Sequence, residues 1–149
     1  MGSLSASDVR TTGEQSLRTL GAEYVDLLLV HWPNESIPMA ETLGELTRLQ
    51  EEGKVRHIGV SNYTMRHMRA ALEICATLGV KLFCNQVEYH LGFAATQARM
   101  RTFLAAHGAA LIAYSPLGRG KWPKDETLQG IGRRYAKSAS QVALVGRAR

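Results

Sequence analysis

The sequence predicts an α/β fold of the (β/α) type, a partial barrel of about four parallel strands with flanking helices, on three observations. Hydrophobic periodicity repeats one unit four times: a helix, a short apolar strand, then a polar loop. The first strand is almost continuously apolar, as it is when both faces of a sheet are covered. Each strand also ends on hydrogen-bonding or aromatic groups: His31-Trp32, Ser61-Asn62, the stretch from Gln86 to His90, and Tyr114-Ser115. Strands alternating with helices imply right-handed βαβ units and a parallel sheet. The alternation alone leaves a doubly wound sheet and a barrel open. The strand ends favour the barrel, which gathers them on one rim where an open sheet spreads them across its width.

Taken in order, a first helix runs from about Ser7 to Leu20 and stops at Gly21, a residue suited to the left-handed cap. The strand from Tyr24 to His31 follows. After Trp32-Pro33 a loop leads to Pro38, which suits a first helical turn. Leu43, Leu46 and Leu49 then share one helix face, and Gly53 ends that helix. A second strand, Arg56 to Val60, closes on Ser61-Asn62. Met65, Met68, Leu72 and Cys75 stripe a third helix that stops at Gly79. Leu82 to Glu88 is the third strand, and a helix from Ala95 to His107 ends at Gly108. The fourth strand, Ala110 to Ser115, closes on Pro116-Leu117-Gly118. A helix is predicted over Glu126 to Lys137. Another starts at Ser138, where Ser138 and Gln141 match a capping box.

A chain of 149 residues fits one domain with a real core. Cys75 and Cys84 lie in apolar surroundings and suggest neither a disulfide framework nor a metal cluster, so a reducing, cytoplasmic setting is expected. No signal peptide is read at the start, and the apolar run at Leu27 to Val30 is far too short to span a bilayer. The net charge of +5 comes from scattered lysines and arginines with no interleaved stacking aromatics, which argues against a nucleic-acid surface. Glu88 and His90 raise the thought of a metal, but no second ligand pair stands at metal-binding spacing. His57, His67 and His107 read as ordinary surface or helix residues. Taken singly, His31 reads as a structural histidine, Ser61-Asn62 as a turn, and Gln86 and Tyr114 as interior packing.

Their combination says more. The segments Leu29-Val30-His31-Trp32-Pro33, Gly53 to Asn62, Asn85-Gln86-Val87-Glu88-Tyr89-His90 and Ala113-Tyr114-Ser115-Pro116-Leu117-Gly118 resemble the aldo-keto reductase family, in order and at matching spacing, over about residues 5–144. The resemblance implies an eight-stranded barrel of the TIM-barrel type that binds NADP(H) at its carboxyl rim and reduces aldehydes or ketones to alcohols by hydride transfer. The chain resembles strands four to seven of that barrel. His31 then corresponds to the active-site histidine that donates a hydrogen bond to the substrate carbonyl and polarises it. Trp32 lines the substrate pocket. Ser61, Asn62 and Gln86 hold the nicotinamide carboxamide, whose one acceptor and two N–H donors Asn and Gln can match. Tyr114 stacks on the nicotinamide ring, while Ser115, Leu117, Gly118 and Arg119 follow the pyrophosphate. NAD(H) stays open, because the basic residues that discriminate between the two cofactors match nothing in this sequence.

The family also carries an Asp, a Tyr acting as general acid and a Lys that lowers its pKa, all before the strand ending at His31. No segment here resembles them. Nor does the tail, Val145 to Arg149, resemble a continuing family helix. The expectation is one partial barrel domain over residues 1–149, cut at both ends, with little reductase activity and sheet edges open to self-association. The rival expectation is a non-catalytic cofactor- or partner-binding module akin to the family's regulatory barrel subunits.

Overall fold

In a computed structural model, residues 4–146 are described. They form one sheet and six helices: α1 (Ala6–Leu20), β1 (Val25–Val30), α2 (Met39–Glu51), β2 (Val55–Ser61), α3 (Met65–Thr77), β3 (Leu82–Glu88), α4 (Ala94–Ala106), β4 (Ala110–Tyr114), α5 (Glu126–Arg134) and α6 (Ala139–Val145). Two short 3-10 turns, Gly118–Gly120 and Trp122–Lys124, lie between β4 and α5. The four strands are parallel and adjacent in chain order, as the βαβ reading expects. Among the described residues β1 and β4 each pair on one side only.

The helices form because each carries one apolar stripe and a stop signal. In α2 the stripe is Leu43, Leu46 and Leu49; in α3 it is Met68, Ala71 and Cys75; in α4 it includes Met100 and Leu104. These residues pack on Val30, Val55, Ile58, Val60 and Leu82 to make one continuous core on the helix side of the sheet. Gly21 ends α1 at φ 63°, where a β-carbon would be strained. Ser138 and Gln141 form the expected capping box. Burial also raises the thiols of Cys75 and Cys84 to about 11, so both stay protonated and inert at neutral pH.

The helix predicted over Glu126 to Lys137 stops three residues early, while the next one starts at Ser138 as expected. The former ends at Arg134, and Ala136 takes a left-handed φ of 51° before α6 begins. The carbonyl of Gly132 accepts from the N–H groups of both Tyr135 and Lys137. A β-carbon on Gly132 would lie 2.3 Å from the Lys137 carbonyl oxygen, so the reversal depends on that glycine. Val145, placed in the tail by sequence, closes α6, and Gly146 caps it; residues 147–149 lie outside the described residues.

One irregularity decides which side chains reach the site. Ile58 pairs with Leu82 but Val60 pairs with Asn85, so β3 holds one extra residue in this interval. That bulge sends Asn85 and Val87 to the helix side, where the Asn85 amide lies 3.7 Å from the Met100 sulfur. Cys84 and Gln86 take the other face. Leu27, Leu29, His57, Gly59, Ile112 and Tyr114 share that face by register. Cys84 packs against Gly59, where a β-carbon would meet its sulfur at 2.7 Å.

A buried carboxylate ties α1 to α2. Glu45 is 3% exposed and bonds the guanidinium of Arg10 at 2.5 Å and that of Arg48 at 3.0 Å. Arg10 also bonds Glu52, and Lys54 bonds both Glu14 and Glu52. Hydrogen bonds from Arg10 and then Lys54 hold the Glu52 carboxyl down at about 2.

Candidate active site

The carboxyl ends of all four strands meet in a hydrogen-bonded network centred on Asn62. This residue directly follows β2 and sits at φ 61°, a left-handed conformation that Asn tolerates better than most side chains. Its backbone N–H donates to the Gln86 carbonyl at 2.8 Å. Its side-chain Nδ2 donates to the His31 carbonyl at 3.0 Å and to Ser61 Oγ at 3.1 Å. Its Oδ1 accepts from the Tyr114 hydroxyl at 2.9 Å. One amide therefore joins the ends of β1, β2 and β4, and its backbone joins β3.

Of the residues expected at the site, His31, Ser61, Asn62, Gln86 and Tyr114 are brought together, and Trp32 lies beside His31 with ring centroids 6.4 Å apart. They differ in what they offer. Ser61 is 1% exposed and its hydroxyl is committed to the Gln86 carbonyl at 2.9 Å, so it braces the rim from below. The imidazole of His31, on an exposed residue, makes no hydrogen bond among the described residues, nor does the half-buried Gln86 side-chain amide. Both retain donors for a ligand. Trp32 is 45% exposed, a large apolar surface left facing solvent.

His31 and Trp32 also line a cavity of about 520 Å³ between α1 and β1, with Val9, Thr12, Leu28 and Val30 among its walls. The loop bearing them is clamped at Glu35, whose Oε1 receives Arg66 at 2.6 Å and His67 at 3.3 Å. His67, expected to be an ordinary helix residue, thus helps hold the loop and also meets the Tyr63 ring edge-on.

Beyond β4 the chain turns sharply. Ser115, Gly118, Arg119 and Gly120 all take positive φ, and Gly118 N–H donates to the Ser115 carbonyl at 2.9 Å. Glycine at 118 and 120 takes this backbone at no steric cost and lets the chain approach a ligand closely. Gly118 lies under the Trp122 indole, whose nitrogen a β-carbon there would meet at 2.5 Å. Arg119 is 77% exposed on its side chain and reaches Glu88 at 3.8 Å. His90 is a structural residue: its Nδ1 accepts from the Gly92 N–H at 3.1 Å and its ring packs on Phe93 and Trp122. Among the described residues no group of three His, Cys, Asp or Glu side chains is placed to hold a metal.

Sequence reading did not single out Asn85. Its fully buried amide donates to the Tyr63 carbonyl at 2.9 Å and accepts from the Tyr63 N–H at 3.3 Å. It thereby fixes the chain just after Asn62. The signal was present: an asparagine inside the run Leu82 to Val87 is a buried polar group that must find partners.

Residues 1–144 match the model of the aldo/keto reductase family. Over 134 residues the chain is 38% identical to 9,11-endoperoxide prostaglandin H2 reductase of Trypanosoma cruzi (strain CL Brener), and over 131 residues it is 37% identical to glyoxal reductase of Bacillus subtilis (strain 168). Each alignment covers 88% of this chain and 45% of the relative, so the chain spans just under half the length of these relatives. Among solved structures, a Gox0644 mutant in complex with NADPH superposes with a TM-score of 0.83 at 30% identity, over 94% of this chain and 50% of that one. The four-stranded sheet is thus part of the barrel these proteins share.

Proposed function

The chain belongs to the aldo/keto reductase family, and from that premise we propose that its rim is the nicotinamide-facing part of an NADP(H)-dependent carbonyl reductase site. The Asn62 network is the observation that carries this reading, because it gathers groups from four strand ends around one point. In this reading NADP(H) supplies the hydride. Gln86 presents its free amide to the carboxamide, Asn62 adds the second lone pair of its Oδ1 while its donors hold the rim together, Ser61 fixes the Gln86 backbone, and Tyr114 offers its ring to the nicotinamide. Ser115, Leu117, Gly118 and Arg119 follow the pyrophosphate. The unpaired imidazole of His31 donates to the carbonyl oxygen of an aldehyde or ketone, where it stabilises charge as the hydride arrives. Trp32 forms the apolar wall beside it.

The Asp, Tyr and Lys of the family's proton-donating set match no residue of this sequence, so the alkoxide left by hydride transfer lacks a donor of matched pKa. General acid catalysis is worth about 10²–10⁴-fold. The 149-residue polypeptide is therefore expected to quench on titration with NADPH, through Trp32 beside the rim, yet to consume no NADPH with glyoxal or another small aldehyde. Steady NADPH consumption by the purified chain overturns the inactive reading. Absence of quenching overturns the cofactor reading.

Among the described residues β1 and β4 each pair on one side only, and an open sheet edge favours association. In sedimentation velocity this polypeptide is expected to run as oligomers whose proportion rises with concentration. A monodisperse monomer across the accessible range counts against it.

A further inference from the structure

A trough of about 540 Å³ runs from Trp32, Asn62 and Tyr114 out to the exposed residues Arg69 on α3 and Arg99 on α4. The proposed carbonyl chemistry does not use these two arginines. Arg10, Arg48, Arg56 and Arg66 each hold a carboxylate. Arg69 and Arg99 hold none among the described residues; Arg69 instead rests over the Phe103 ring at 5.0 Å. That stacking limits the rotamers of Arg69 and leaves its N–H fork available. The one carboxylate in the trough wall, Glu88, also faces Arg119 and His90 at 3.8 and 3.7 Å. The start of α3 opens into the same trough at Thr64 and Met65, with no acidic residue in its first turn to offset the helix dipole. Two arginines, a positive helix end and Gln97 therefore border a recess whose other end is the proposed carbonyl site.

We propose that this trough binds the anionic group of a small ligand, a carboxylate or a phosphate, on Arg69 and Arg99. Both arginines are exposed, so their guanidinium forks are free to turn toward a ligand and make paired, charge-assisted bonds to either group. The ligand's uncharged end points toward Tyr114 and Asn62. Where the proposed reductase reading holds, the substrate class becomes acidic carbonyl compounds, which rests on that reading; the anion site itself does not.

The test titrates the full chain with inorganic phosphate, with succinate and with NADPH at low ionic strength, following tryptophan fluorescence. It compares wild type with R69Q/R99Q and with R69K/R99K, after circular dichroism has shown native folding. Phosphate and succinate affinity is expected to fall about 10-fold or more in the glutamine pair, the loss of at least one charge-assisted bond, and to be largely kept in the lysine pair. Added NaCl weakens the same binding. A parallel fall in NADPH affinity identifies the anion as the cofactor's phosphate, whereas unchanged NADPH binding assigns the site to an acidic substrate. Equal phosphate and succinate affinity in wild type and R69Q/R99Q, or no binding to wild type, overturns the proposal. Failure of NADPH alone to bind wild type defeats the cofactor reading and leaves the phosphate and succinate arms standing.

Discussion

Asn85→Leu is expected to lower the free energy of unfolding by about 2–5 kcal/mol, because it strands two buried backbone groups of Tyr63. The Asn85 side chain is fully buried, so water cannot replace the lost partners without opening the α3–α4 packing. Leucine has the same branched four-atom side-chain skeleton, and its apolar surface recovers part of the loss, which is why the upper figure is not exceeded. Asn85→Asp makes a sharper control. It keeps an acceptor for the Tyr63 N–H but sets a buried carboxylate against the Tyr63 carbonyl, and it should destabilise at least as strongly. Urea denaturation followed by circular dichroism reads both. A midpoint for Asn85→Leu within error of wild type would show that the Tyr63 segment finds other partners.

The second large effect is expected at Asn62. Asn62→Asp preserves shape, tolerates the left-handed backbone and keeps the acceptor for Tyr114. It converts the donor aimed at the His31 carbonyl into an oxygen facing an oxygen. The rim should open between β1 and β2, and NADPH affinity should fall about 10–100-fold, the equivalent of one or two lost hydrogen bonds. Asn62→Gly separates the side chain from the backbone, since glycine accepts the positive φ at no steric cost and lacks only the amide. NADPH titration of the two variants decides the matter. Wild-type affinity in Asn62→Gly would remove the amide from the binding surface and leave Asn62 as a turn residue.

Much of the fold is legible in the sequence. The helix stripes at Leu43, Leu46 and Leu49 and at Met68 and Cys75, the glycine stop at Gly21 and the capping box at Ser138 act within a few residues of chain, so their local pattern suffices. The break between the last two helices was legible from the capping box at Ser138, but the early stop at Arg134 was not, because it depends on the absence of a β-carbon at Gly132 against the Lys137 carbonyl, a contact made only once the chain has already reversed. Glu45 was missed for a related reason. A glutamate on a helix reads as solvated, and only the approach of Arg10 from α1 makes its burial tolerable.

The candidate site divides the same way. Strand ends carrying His31, Asn62, Gln86 and Tyr114 were visible in the one-dimensional pattern, since a parallel sheet must deliver its carboxyl ends to one side. Which of those groups are spent inside the protein and which stay free was not visible. Ser61 and Asn62 are bound to partners far away in the chain, while His31 and Gln86 keep unclaimed ring and amide groups. The single extra residue in β3 is the cause at Gln86: strict alternation from Leu82 would put Gln86 on the helix side, and the bulge turns it to the rim and Asn85 inward. Local chemistry chose the residue types at each strand end. The register between neighbouring backbones, a property no single segment possesses, chose where each side chain points.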